Sequence, residues 1–357
     1  MAPGGHALGQ FLHERFSLTE VRRFMDAYAR NWARDPNGDF GKGGMPGPEQ
    51  SPYAAITPSG WRASCVRTPV GEEVILTAGD PHGLARAVEL RFAFPRAPAC
   101  VDITWRVTDK TPDPIPEGGW ICLPFNVRSP AFRVGRIGGT IDPVTDIIFG
   151  ANRNLLGVDR AITVREGVQG PGLAAASADL PLWSLGKPGL WRYEPAYVPA
   201  SPELFANLYN NMWNTNYPLW IGGSWQATLR IWPVAAGADE EQSHFTPAWE
   251  LRQGAVAAFA DAPAGTLPAE QVGLTLSRRG TRITAFGPNP DGAGTVLRLW
   301  EQAGLGGAIE VTVPGAFRTA TPVNLRGEPV GVPVRLSGGR LAIHLPAYAP
   351  ASFRLEE

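Results

Sequence analysis

The chain has 357 residues, with 32 Lys plus Arg against 33 Asp plus Glu and a formal net charge of −1. It therefore carries no basic excess with which to neutralise a phosphate backbone, and nucleic acid is excluded as a partner class. A hydrophobic fraction of 44% and 12 tryptophans set it apart from disordered chains, while 42 glycines and 35 prolines imply frequent turns and an all-β architecture.

The opening "MAPGGHALGQ" lacks the basic segment and apolar stretch of a secretory leader, and no run of about 18 apolar residues follows anywhere. The expectation is a soluble, cytoplasmic protein with no membrane partner. Three cysteines, Cys65, Cys100 and Cys122, lie far apart and are odd in number, which suits neither a disulfide framework nor a zinc spacing.

One helix is predicted. "SLTEVRRFMDAYARNW" opens with Ser17 and Glu20 in a capping box, in which each residue satisfies a backbone N–H near the other. Val21, Phe24, Met25, Tyr28 and Trp32 then recur at helical spacing. A turn-rich loop, "RDPNGDFGKGGMPGPEQSP", follows, and beyond it the period changes to two. In "AVELRFAF" Val88, Leu90, Phe92 and Phe94 alternate with Glu89, Arg91 and Ala93. In "VDITWRVTD" Val101, Ile103, Trp105 and Val107 alternate with Asp102, Thr104, Arg106 and Thr108, and "WQATLRIW" repeats the pattern. Such segments predict half-buried antiparallel strands and a β-sandwich.

"DAPAGTLPAE" (261–270) marks a break. The short strands after it alternate as well: Ile309, Val311 and Val313 in one, Leu341, Ile343 and Leu345 in another. The expected division is an N-terminal helix and loop segment over 1–60, a large β domain over 61–260 and a small β-sandwich over 271–357.

Signatures of catalysis are sparse. No G-x-S-x-G elbow occurs, and "GKGGMPG" fails the dinucleotide pattern because Pro46 takes the last glycine position. The five histidines (His6, His13, His82, His244, His344) form no H-x-H or H-E-x-x-H cluster, and a lone histidine in a β protein is more often structural than a ligand. Glycosidases use two carboxyl groups about 5 to 10 Å apart. Glu117 in "PIPEGGW", Asp146 in "DPVTDIIFG" and Asp179 in "SADLPLW" sit in turn-rich settings where such a group, or a plain turn cap, is expected.

The aromatic and amide-rich "LYNNMWNTNYPLW" matches the needs of a sugar site, which combines aromatic platforms with hydrogen-bonding side chains. A demanding turn would use the same residues, because asparagine tolerates left-handed backbone and tryptophan and tyrosine favour strands.

The run "PEGGWICLPFNVRSPAFRVGRIGGTIDPVTDIIFGANRNLLGVDRAITV", then "SADLPLWSLG" and "LYNNMWNTNYPLW", resembles the C-terminal β half of family-38 glycoside hydrolases, the α-mannosidase-like enzymes. "ALGQFLHERFS" with "DFGKGGMP" and the closing "LAIHLPAYAPASFRL" are similar to the flanking segments of a bacterial subgroup, so the resemblance covers nearly the whole chain. It implies a large galactose-mutarotase-like β-supersandwich followed by a small β-sandwich. It also implies a carbohydrate ligand and an N-terminal catalytic barrel, domain or subunit, that brings the aspartate nucleophile and the zinc ligands. No residue here matches those motifs, so no catalytic residue, cofactor or metal is expected within this chain. The resemblance places Asp179, Asn210, Asn211, Trp213 and Asn216 on the substrate side; it departs at Asp159, where the family often has glutamine.

The implied function is thus a non-catalytic, substrate-proximal β portion of a family-38-like glycoside hydrolase. Two alternatives remain: a stand-alone carbohydrate-binding or scaffold protein, and a mutarotase-like epimerase with His82 as its acid–base group.

Overall fold

The structure is a computed structural model that describes residues 5–28, 51–79, 82–113, 115–212, 220–254, 256–259, 265 and 269–357. It is nearly all β, with two α-helices among the described residues. Two compact units form: Met1–Arg136 with Ile141–Gln253, and Ile137–Thr140 with Gly254–Glu357.

The first unit contains strands β1 (Gln10–Arg15), β2 (Ala54–Ile56), β3 (Arg62–Thr68), β4 (Gly71–Gly79), β5 (Ala85–Pro95), β6 (Val101–Lys110) and β7 (Glu117–Pro124). It continues with β8 (Pro130–Arg136), β9 (Gly139–Ile141, of which Ile141 belongs to this unit), β10 (Leu156–Gly157), β11 (Ala161–Glu166) and β12 (Gly172–Ser177). The last three are β13 (Leu182–Leu185), β14 (Glu203–Asn210) and β15 (Gly223–Val234). Helix α1 spans Leu18–Tyr28 and α2 spans Thr246–Arg252. A six-stranded sheet runs β10-β13-β14-β7-β1-β2, and a nine-stranded sheet runs β3-β4-β5-β6-β15-β12-β11-β8-β9.

Alternation of side chains explains how these sheets stack. Phe11, Ile121, Leu123, Leu204 and Ala206 of the six-stranded sheet share one core with Val88, Leu90, Ile103, Trp105 and Leu229 of the nine-stranded sheet. The residues in between, Leu12, Trp120, Cys122 and Phe205, point to the opposite face and meet α1 through Val21, Phe24 and Met25. Burying those three helix side chains contributes about 1.5–3 kcal/mol each. On the far face of the nine-stranded sheet, Ala161, Ala174, Ala176 and Trp232 pack with Ala248 of α2. The order of layers in this unit is therefore helix, sheet, sheet, helix.

Half of the capping box forms as its sequence implies: the Ser17 N–H donates to Glu20 Oε2 at 2.9 Å, while Ser17 Oγ accepts from the Thr19 N–H at 3.2 Å in place of the reciprocal bond. Trp32, at the far end of the predicted helix, lies outside the described residues. One expectation changes. The described part of segment 1–60 is not a separate helix and loop, because β1 pairs with β7 on one side and β2 on the other.

The second unit has strands β16 (Thr275–Leu276), β17 (Thr281–Pro288), β18 (Thr295–Glu301), β19 (Gly307–Thr312), β20 (Thr319–Pro322), β21 (Val334–Arg335), β22 (Arg340–Leu345) and β23 (Pro350–Glu356). They form a three-stranded sheet, β16-β19-β22, and a five-stranded sheet, β17-β18-β23-β20-β21. Leu297, Leu299, Phe353 and Leu355 from the larger sheet meet Val311 and Leu341 from the smaller one.

Candidate functional site

The "EGGW" run begins β7, and its two glycines are required by packing. A Cβ on Gly119 would overlap the Tyr209 ring, and one on Gly118 would overlap Leu190. Tyr209 lies in β14, whose register against β7 shifts between Asn207 and Tyr209, leaving Leu208 as the extra residue of a bulge. Asn207 repairs that break: its Nδ2 donates to the Gly119 and Tyr209 carbonyls, each at 3.0 Å.

The next asparagines extend the repair. Asn210 Nδ2 donates to Asn207 Oδ1 at 2.8 Å, and Asn210 Oδ1 accepts from the Met212 N–H at 3.3 Å. Asn211 is buried; its Oδ1 accepts the Glu117 N–H at 2.7 Å and its Nδ2 donates to the Ile115 carbonyl at 3.0 Å. The amides of the described part of this stretch thus hold β14 to β7.

Beneath them lies a buried ionic cluster. Lys110 ends β6 in one sheet and Glu117 starts β7 in the other, so the short connection between the sheets brings them together. Lys110 Nζ donates to Glu117 Oε1 at 2.6 Å and to the Thr111 and Ile221 carbonyls at 3.0 and 2.8 Å, with neither charged side chain exposed. Glu117 Oε2 has no hydrogen-bond partner and faces His13 Nε2 at 3.7 Å. His13 Nδ1 lies 3.0 Å from the Tyr209 hydroxyl, and the Lys110 ammonium sits 5.3 Å from the Tyr209 ring centre.

Burial raises the Glu117 carboxyl to about 7, outweighing the opposing pull of Lys110. Burial and then the Lys110 and Arg15 charges lower His13 to about 3, and burial followed by the Glu117 charge pushes the Tyr209 phenol well above its ordinary value. At neutral pH the imidazole is neutral and Glu117 is poised to hold or lose a proton. A shallow pocket of about 80 Å³ borders the cluster, lined by His13, Arg15, His82, Thr111 and Asp113, with Arg15 and Asp113 paired across it. His82 stands at its exposed rim with φ +56.

Of the residues singled out in the sequence, Glu117, Asn210 and Asn211 come together here. Asp179 does not. It is exposed after β12, and its Oδ2 accepts the Thr228 N–H at 2.8 Å. Thr228 lies five residues along β15 from Gly223, which pairs with Lys110; that is about 17 Å of strand. Asp146 is an exposed turn carboxylate whose Oδ2 accepts the Asp142 N–H at 2.7 Å. Trp213 and Asn216 lie outside the described residues. Lys110, His13, Tyr209 and Asn207 were missed by sequence reasoning. The one available signal was Lys110 and Glu117 at opposite ends of "KTPDPIPE", a proline-rich link too short to keep them apart.

Among the described residues, no three His, Cys, Asp or Glu side chains converge so as to hold a metal ion. No helix among the described residues is long and apolar enough to cross a membrane.

No protein-family model matches the sequence, and no curated protein matches it. Solved structures do match. A protein of glycosyl hydrolase family 38 from Enterococcus faecalis aligns at a TM-score of 0.65 with 10% identity, over 97% of this chain and 40% of that one. An alpha-mannosidase from Enterococcus faecalis V583 aligns at 0.65 with 11% identity, over 97% of this chain and 38% of that one.

The fold is one that family-38 glycoside hydrolases contain.

This family-38-like fold spans about two-fifths of the length of either relative. The buried cluster brings together three of the strongly shifted ionisable groups among the described residues, His13, Glu117 and Tyr209.

Proposed function

We propose that this chain is the β portion of a family-38-like glycoside hydrolase, non-catalytic by itself and working with an N-terminal catalytic barrel, domain or subunit. The observation that carries this is coverage: nearly the whole chain superposes on structures more than twice its length. Carbohydrate would be met at the loop that leaves β14. Asn210 and Asn211 anchor the base of that loop, and Trp213 and Asn216 are assigned the contact with sugar. Asp179 belongs to the same proposal only as a separate, exposed contact.

The buried cluster fits a supporting role. An epimerase needs an acid and a base that both reach the sugar, yet His13 is 1% exposed and Glu117 is not exposed at all. Their place is beside Asn211 at the end of β14, where they support its pairing with β7.

The test is hydrolysis of nitrophenyl α-mannoside. The chain alone is expected to be inactive, and activity is expected when a barrel portion is supplied in the same polypeptide or in trans. Turnover by the isolated chain, unaffected by Asn211→Ala, would overturn the proposal. Saturable glycan binding with no activity in any combination would favour a stand-alone binding protein instead.

A further inference from the structure

A second pocket, of about 290 Å³, lies on the outer side of the six-stranded sheet, between α1 and residues 191–194. None of its lining residues belongs to the cluster around Glu117. Its walls combine two arginines, Arg23 and Arg192, with the aromatic side chains Phe24, Trp191 and Tyr193. Among the described residues, neither guanidinium makes a hydrogen bond or ion pair. The one carboxylate in the lining, Glu194, is already paired with Lys187 at 2.7 Å. Glu14 interacts electrostatically with Arg192, and its two oxygens accept from Tyr53 and Trp120, each at 2.7 Å. The pocket therefore presents two guanidiniums without hydrogen-bond partners among the described residues, with Glu14 offsetting part of the Arg192 charge from outside the lining.

Two further observations mark Trp191 as a constrained wall of this pocket. Trp191 is 1% exposed, yet its Nε1–H has no hydrogen-bond partner. An unmet buried donor is costly in a native fold. Trp191 also holds φ +52, a left-handed conformation that a bulky residue adopts only when its surroundings enforce it. Its ring meets Phe24 edge-on at 5.6 Å, so the indole is locked in the pocket wall. The volume lies at the lower end of the range for small-molecule sites.

We propose that this pocket binds a monosaccharide-sized molecule bearing a phosphate or carboxylate group. Arg23 and Arg192 receive the anion, and the Tyr193 ring packs on the apolar face of the body. Guanidinium forks suit both oxyanions, and the shared chemistry is an anionic head on a compact ring.

Titration calorimetry of the full chain at low salt tests this, using glucose 6-phosphate, glucuronate, inorganic phosphate and glucose as probes. Saturable binding of glucose 6-phosphate or glucuronate is expected, which of the two is tighter naming the head group. Inorganic phosphate should bind more weakly and glucose not at all. Arg192→Gln and Arg23→Gln should each weaken binding by about tenfold, and added salt should weaken it further. Arg23 is exposed on α1, so its variant should fold. No saturable binding of any anion, glucose binding as tightly as its phosphate, or anion binding that survives Arg23→Gln unchanged would each overturn the proposal.

Discussion

Two glutamates are equally hidden and differently used. Glu301, at the end of β18, is 0% exposed, and three backbone N–H groups close on it: Ala303 at 3.0 Å on Oε1, and Gly304 and Tyr348 at 2.9 and 2.8 Å on Oε2. Both its oxygens are satisfied, and it ties a turn to the neighbouring chain. Glu117 is 0% exposed as well, but it has one ammonium partner, one oxygen without a donor, and a pKa raised to about 7. Burial alone therefore says little about role. The donor set around a buried carboxylate separates a structural clamp from a group whose proton can be exchanged at neutral pH.

The contrast can be broken first at Lys110. Lys110→Met leaves Glu117 buried without its counter-charge and is expected to cost about 3–5 kcal/mol in urea unfolding. Adding Glu117→Leu should recover most of that loss, and failure to recover it would mean that the pair is not the source. Glu301→Ala should cost less, about 2–3 kcal/mol, because the released N–H groups lie in a turn where water can reach them. A larger loss than that of Lys110→Met would reverse the comparison. Gly119→Ala drives a methyl into the Tyr209 ring and should cost about 1–3 kcal/mol, with a change in near-ultraviolet circular dichroism from the displaced aromatics.

Acidity sharpens the same contrast. His13 and His244 both fall from 6.5 to about 3 in the folded state, mainly through burial. The unfolded chain takes up their protons first, so their contribution to stability is lost as pH drops from about 6.5 to about 3. Glu117 works in the opposite sense, with 4.5 unfolded against about 7 folded; its contribution is full below 4.5 and fades as pH rises toward 7. The opposing slopes partly cancel between 4.5 and 6.5, so the steeper fall is expected below 4.5. In urea midpoints measured against pH, His244→Phe should flatten that lower limb. Curves that stay parallel would remove His244 from the account. The smallest effect is expected at Asn210→Ala, about 1 kcal/mol or less, since Asn210 only extends a repair that Asn207 makes directly.

Strands wet on one face were legible in the sequence. Val88, Leu90, Ile103, Trp105 and Val107 alternate in the chain and are buried in the structure. Strand β1 was not, because α1 and the second sheet cover it on both sides and its inner residues include His13 and Glu14, so neither alternation nor apolarity marks it. The same holds for the asparagines. Their composition suited a sugar or a turn, and the choice depended on a bulge opposite Gly119 that only the pairing of β14 with β7 creates. The aromatic wall and arginines of the second pocket come from segments far apart in sequence, where no local spacing could unite them.

The position of β1 also has a kinetic meaning. The earliest strand of the described chain sits inside its sheet, and its side-chain bond from Glu14 to Trp120 closes a loop of 106 residues. Neither neighbour of β7 can be replaced by a local hairpin, since β14 arrives later still. Such long closures must be completed before their contacts contribute, which favours slow, high-contact-order folding. On a ribosome, the "QFLHER" segment must wait, unpaired on at least one edge, until about half of the first unit has been made.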